Sequence, residues 1–334
     1  MDLLRLVMDG GLKVNKRSLI SIVIPAWNEH ANLLELRPRL EGVIEPLTTK
    51  YDFEFILIDN HSEDATPALM AQYCADDSRW KYVRFSRNFG LEASFHEGIQ
   101  RVAGDAVIFL FSDMQDPPEL IPEYVERWES GFDVVYGTIK QRADGRFLEK
   151  AGALITHKLL NKLSGNVIPE NAADFQLLSR NVIEAIKLCG ERNRYFRGLV
   201  HSMGFNKCTI PFARQPRKNG ETTMGLFFRA GYAITCITAF STKPLEIISI
   251  IGFLLTMLSF LGSVVYTLSK FLTYVGIVFL PVPPLGWTTL VLVLLFFNGV
   301  NMMFLGVIGR YVSSIYAEVK QRPISVVEHA EGFK

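Results

Sequence analysis

Three groups of polar residues in this 334-residue chain stand where chemistry is readily built. Asn28 and Glu29, Asp59 and Asn60, and the run Ser112 to Asp116 each follow a short apolar, β-branched stretch. Where such stretches are strands of an open α/β sheet, their carboxyl ends are where ligands bind. Asn and Asp are also common turn residues, and Asp116 before Pro117-Pro118 could equally cap a helix. Charge is the second signal. From Arg180 to Arg229 there are ten basic and three acidic residues, a net of +7, whereas residues 1–179 carry 19 basic and 27 acidic, a net of −8. A basic block suits phosphate: arginine offers paired donors matched to phosphate oxygens, and anionic headgroups attract basic residues at about 1 kcal/mol each near the surface. For part of the block the alternative is a solvated basic face.

The elements that must position these groups alternate. Leu19 to Ala26, Phe53 to Asp59, Trp80 to Phe85, Ala106 to Phe111 and Val134 to Tyr136 read as strands. Between the first two, Leu33, Leu36, Leu40 and Ile44 have helical spacing, and Thr66 to Cys74 and Ala93 to Val102 also read as helices. Strands separated by helices predict a largely parallel sheet covered on both faces. No GxGxxG or GxxxxGK[ST] occurs, which disfavours a Rossmann dehydrogenase or P-loop enzyme. The six histidines are scattered without an HExxH, so a zinc hydrolase has little support. Cys74, Cys189, Cys208 and Cys236 lack paired spacing and read as buried free thiols. The first 18 residues lack the long apolar core of a signal peptide.

Residues 245–269 and 286–308 predict two membrane spans, since Lys270 is the one charge between Ile247 and Gly309. Pro281, Pro283 and Pro284 separate them. Basic residues flank the pair on both sides, which places both termini in the cytoplasm and the protein in the inner or plasma membrane. The expected division is a cytoplasmic domain over 1–223, an amphipathic connector over 224–243, the two spans within 244–310, and a cytoplasmic tail over 311–334. Asn298, Gly299, Asn301 and Gly306 suit a helix–helix interface, within the pair or between copies of a homo-oligomer. Nothing in the charge pattern favours nucleic acid.

Taken in order, IPAWNE (Ile24 to Glu29), IDNHSEDAT (Ile58 to Thr66), SRNFG (Ser86 to Gly90), SDMQDPPELIP (Ser112 to Pro122), ADFQLLSR (Ala173 to Arg180), ERNRYFRGL (Glu191 to Leu199) and RQPRKNGET (Arg214 to Thr222), followed by STKPL, resemble the family 2 glycosyltransferases. The resemblance is to the membrane-bound polyprenyl-phosphate type, especially undecaprenyl-phosphate glucosyltransferases and more distantly dolichyl-phosphate mannose synthase. It implies a Rossmann-like A-type glycosyltransferase domain with a mostly parallel sheet, then a two-helix transmembrane hairpin. It implies inverting transfer of a hexose, glucose from UDP-glucose, to a polyprenyl (undecaprenyl) phosphate on the cytoplasmic leaflet, with Mg2+ or Mn2+.

Carried onto these residues, the resemblance makes Asp113 and Gln115 metal ligands in a DxDxQ-like run whose first Asp is here Phe111. Asp116 and Asp174 become catalytic candidates. Pro25, Ala26, Asn28 and Glu29 border the base and ribose, with Asp59 or Asn60 at the pyrimidine edge. Arg214 and Arg217, then Arg194 and Arg197, meet the acceptor phosphate; Thr223 stands where the family often has Lys. A phosphate monoester is largely dianionic at neutral pH, so no strong general base is required. The rival readings are a membrane-tethered nucleotide-sugar-binding scaffold without activity and a polysaccharide synthase, the latter lacking its QxxRW motif here.

Overall fold

In the computed structural model, residues 17–140, 169, 171–192, 195–215, 243–276 and 286–333 are described. They fall into two compact units, one built around a sheet and the other holding two long helices.

The sheet unit begins with β1 (Ser18–Ala26), α1 (His30–Ile44), β2 (Tyr51–Asp59), α2 (Thr66–Asp76), β3 (Trp80–Phe85), α3 (Leu91–Arg101) and β4 (Ala106–Phe109). It continues through α4 (Ile121–Glu129), β5 (Val134–Ile139), β6 (Ala172–Ser179), α5 (Arg180–Leu188), α6 (Phe196–Ser202) and β7 (Lys207–Phe212). The eight-stranded order is β7-β5-β6-β4-β1-β2-β3-β8, where β8 is Val327–Glu331. β4, β1, β2 and β3 run parallel, while β6 is antiparallel to both β4 and β5. The expected parallel α/β sheet is therefore present.

Local sequence explains the layering. Along α1, Leu33, Leu36, Leu40 and Ile44 share one buried stripe against the core on one face of the sheet. The strands are buried on both faces, as parallel strands between helical layers must be. On α3, Gly98 lets the helix approach β1: a Cβ there would lie 2.6 Å from Val23 Cγ1. The chain leaves β1 on one side to build β2 and β3, then crosses by α3 to β4 on the other. At such a reversal, here between the carboxyl ends of β1 and β4, open α/β sheets form their ligand crevice.

Two features differ from expectation. β8, in the stretch expected to be a tail, closes the edge of the sheet antiparallel to β3. The membrane assignment is corrected: among the described residues, no helix is long and apolar enough to cross a membrane. The helices of the second unit, α7 (Lys243–Tyr274) and α8 (Trp287–Lys320), do not stop at the apolar runs 245–269 and 286–308. α7 takes in Lys243, Glu246 and Lys270, and α8 continues through Arg310, Glu318 and Lys320, so charge is built into both. The transmembrane hairpin, and the integral inner- or plasma-membrane placement with cytoplasmic termini that rested on it, are withdrawn. The turn expected between the spans and the connector over 224–242 lie outside the described residues. Many described apolar side chains of α7 and α8 are exposed, Phe253, Leu258, Val265 and Met302 among them.

Candidate active site

The crevice is closed at its base by two hydrogen bonds to main-chain carbonyls of β1. Leu110 N–H donates to Val23 O at 3.0 Å and Ser112 Oγ to Pro25 O at 3.0 Å, tying the end of β4 to the end of β1. Pro25 and Ala26 are buried in β1. Asn28 takes a positive φ of 56°, a conformation Asn tolerates better than most residues. Its N–H donates to Ser62 Oγ at 2.9 Å, and its Oδ1 accepts from Glu63 N–H at 2.9 Å. Glu29 N–H donates to Thr66 Oγ1 at 2.9 Å, and the Glu29 carboxylate accepts from the Asn32 amide. The loops after β1 and β2 are thus stitched into one rim.

Asp59 is fully buried and fully engaged. Its Oδ1 accepts from Ser62 N–H at 2.8 Å, and its Oδ2 accepts from Arg84 Nη1 at 2.7 Å and from Tyr82 Oη at 3.4 Å. Arg84 is its register partner on β3, so the pair shares one face of the sheet. Asn60 Oδ1 accepts from Phe89 N–H at 2.8 Å, which fixes the SRNFG loop beside it. Sequence reading missed Arg84, although a basic residue between buried Val83 and Phe85 was a usable signal.

After β4 the chain turns tightly, with Met114 at φ 61°. Asp113 Oδ1 accepts from Gln115 N–H at 3.1 Å within that turn, and Gln115 O accepts from Gln215 N–H at 3.0 Å. Asp116 has no side-chain exposure, and its nearest cation is Arg214, Nε to Oδ1 at 3.4 Å. Neither of its oxygens has a hydrogen-bond donor among the described residues. Burial drives its pKa up to about 7; the Asp113 and Asp174 charges act in the same direction, and Arg214 and Arg197 oppose them.

β6 delivers Asp174. Arg197, on α6, grips it at two points: Nε to Oδ1 at 2.8 Å and Nη2 to Oδ2 at 2.6 Å. Asp113, Asp116, Asp174, Arg197 and Arg214 therefore form one mixed-charge cluster beside the crevice. Arg194 and Arg217 lie outside the described residues. Among the described residues no group of three or more His, Cys, Asp or Glu side chains is arranged to hold a metal ion. Cys74, Cys189 and Cys208 are half-buried and form no disulfide among the described residues, and burial pushes the Cys74 thiol up to about 12.

The chain resembles known proteins over most of its length. Residues 21–187 match the model of glycosyl transferase family 2. The bactoprenol glucosyl transferase of Shigella phage SfV is 33% identical over 311 residues, covering 93% of this chain and 98% of the relative. The glycosyltransferase sll0501 of Synechocystis is 35% identical over 315 residues, covering 94% and 96%. Among solved structures, glucosyl-3-phosphoglycerate synthase from Mycobacterium tuberculosis, with Mn2+, UDP-glucose and phosphoglyceric acid, aligns with a TM-score of 0.44 at 18% identity, covering 66% of this chain and 78% of that one. The chain belongs to glycosyl transferase family 2, and it is a glycosyltransferase.

Proposed function

We propose that this enzyme transfers glucose from UDP-glucose to a polyprenyl phosphate, inverting the anomeric carbon. The observation that carries the reading is the cluster itself, in which Arg197 and Arg214 face Asp174 and the buried Asp116. Arginines beside a donor crevice suit an acceptor whose nucleophile is a phosphate oxygen. The relatives named bactoprenol glucosyl transferase support the same acceptor and sugar.

In the proposed step an acceptor phosphate oxygen attacks the anomeric carbon. The bond from that carbon to the UDP oxygen breaks, and its electron pair leaves with UDP. Pro25, Ala26, Asn28, Glu29 and Asn60 bind the nucleoside, and Asp59, whose oxygens are already engaged, holds the loop behind them. Arg197 and Arg214, with Arg194 and Arg217, bind the acceptor phosphate. Asp174, held in its two-point pair, orients Arg197 and lowers the positive potential beside the reacting carbon. Asp113 and Gln115 would hold Mg2+ or Mn2+. The fit rests on their oxygen donors, which suit a hard ion, and on the Asp116 carboxylate beside them, buried without a hydrogen-bond donor. When bound, such an ion offsets charge on the leaving diphosphate.

The test is transfer of labelled glucose from UDP-glucose into organic-extractable lipid with undecaprenyl phosphate, alongside a panel of other nucleotide sugars and with EDTA. Lipid product from UDP-glucose that EDTA suppresses is expected. Product from a different nucleotide sugar alone would overturn the donor, and no lipid product from any donor would overturn the acceptor.

A further inference from the structure

The transfer chemistry leaves unused a polar seam between β6 and α6. Alternation along β6 puts Asp174 and Gln176 on the same face of the sheet. Gln176 lies directly opposite Tyr136 on β5 and Phe109 on β4. α6 covers both neighbours: the Phe196 ring is 5.0 Å from Phe109, and the His201 ring is 4.7 Å from Tyr136, edge to face. Arg197 and His201 are one helical turn apart and share a side of α6. Gln176 therefore sits under α6, with the Asp174–Arg197 pair one step toward the crevice and His201 one step inward.

This inner end of the seam is buried yet unsatisfied. Gln176 is 0% exposed and His201 5%. Neither amide atom of Gln176 and neither ring nitrogen of His201 has a hydrogen-bond partner among the described residues. Tyr136 adjoins both residues, and buried polar atoms without partners are costly unless something is bound to them. Their inventory suits water, which needs two to four polar partners: the amide supplies a donor group and an acceptor, and a neutral imidazole supplies one of each. Burial pushes His201 down to about 4, reinforced by Lys207 and Arg197, so the ring is neutral at ordinary pH.

We propose that Gln176 and His201 form an internal water site behind the Asp174–Arg197 pair and act as positioning residues for Arg197. The bound water continues the hydrogen-bonded chain inward from the ion pair, so the guanidinium is backed by a fixed polar group rather than by apolar packing. The activity consequence rests on the glycosyl-transfer reading above; the water site does not.

Two measurements on the full chain test it. A crystal structure that resolves solvent should show ordered water within about 2.7–3.2 Å of both Gln176 and His201; a dry seam, or a direct Gln176–His201 bond, overturns the site. Gln176→Leu and His201→Phe should each lower kcat about tenfold, with the KM for UDP-glucose within about twofold and the melting temperature unchanged or raised, because an apolar replacement removes unsatisfied groups. His201→Gln, which keeps a polar group, should retain more activity than His201→Phe. Wild-type kcat in both apolar variants, or kcat falling only in step with stability, overturns the positioning role even if water is present. A wild-type chain without transfer activity would instead count against the proposed function, and the crystallographic result would still decide the water site.

Discussion

Replacing Arg197 by lysine isolates what the two-point grip on Asp174 contributes. The wild-type pair has two parallel bonds, 2.8 and 2.6 Å, between side chains that are 25% and 19% exposed. Lysine keeps the charge but cannot present two N–H groups at fixed spacing. The loss is therefore one charge-assisted hydrogen bond, worth about 1.5–3 kcal/mol. Partial exposure on both sides favours the lower half of that range, about 1.5–2 kcal/mol. If orientation of Arg197 matters mainly in the transition state, that becomes about a 10- to 30-fold drop in kcat, since 1.36 kcal/mol is tenfold. Initial rates of lipid-linked product at saturating UDP-glucose measure it, with a thermal melt as control. Asp174→Asn gives the companion arm, and the double variant should lose less than the sum of the single losses because both remove one interaction. An Arg197→Lys enzyme within twofold of wild type in kcat and in KM for the acceptor would refute the reasoning.

Asp113→Ala should abolish transfer, with a thermal melt as the control for folding, since its carboxylate accepts from Gln115 N–H within its own turn; near-normal activity of this variant in EDTA would sink the metal reading. Lys81→Met should destabilise the sheet unit by about 2–4 kcal/mol, since it strips a buried ion pair and leaves Glu54 with Ser21 and Ala103 N–H as partners. Burial alone would raise the Glu54 pKa, but its bonds to Lys81, Ser21 and Ala103 outweigh it and the net shift is downward. Its stabilising contribution is therefore present above the ordinary carboxylate range and lost as pH falls through the lowered value; urea melts should show the Lys81→Met deficit narrowing with acid, and a pH-independent deficit would contradict this. Phe111→Asp should lower stability and give no gain in Mn2+-supported rate, because Phe111 packs edge-on to Phe95 at 5.9 Å and a new carboxylate would join the acidic charges around Asp116; a faster enzyme would show that Phe111 only blocks a ligand position.

The legible parts of the fold were those whose side chains carry the period of their element. The stripe Leu33, Leu36, Leu40 and Ile44 marked α1, and short, mostly apolar runs bounded by polar residues marked β1 and β2. β6 was invisible by the same rule, because Asp174 and Gln176 interrupt an otherwise apolar strand for reasons that belong to the site rather than to the sheet. β8 was hidden differently: VEHAE is polar and short, and it is a strand because β3 offers an unpaired edge, a tertiary cause with no local signal. The spans were misread because hydropathy over a run ignores where the helix containing it begins and ends, and here both helices extend into charged turns. Within the site, the rim residues Asn28 and Asp59 were locatable from their place after a strand. Their partners Ser62 and Arg84 were not, since a hydrogen bond across 25 or 34 residues leaves no spacing to read.

The antiparallel setting of β6 explains how acids and arginines far apart in the chain reach one place. Phe109 at the end of β4 pairs with Gln176, and Ala106 with Ser179. Because β6 runs the other way, its start, not its end, extends past the carboxyl end of β4. Asp174 stands two residues before Gln176, the partner of the last residue of β4, and so lies beyond the carboxyl end of that strand. A parallel β6 would have turned Asp174 toward the opposite edge, away from Asp113 and Asp116. The same reversal sends the chain back through α5 to α6, so that Arg197 meets Asp174 from above the sheet. The charge division of the sequence, net −8 followed by net +7, is thus folded back on itself at the crevice. One strand's direction supplies both the third carboxylate and the cation that compensates it.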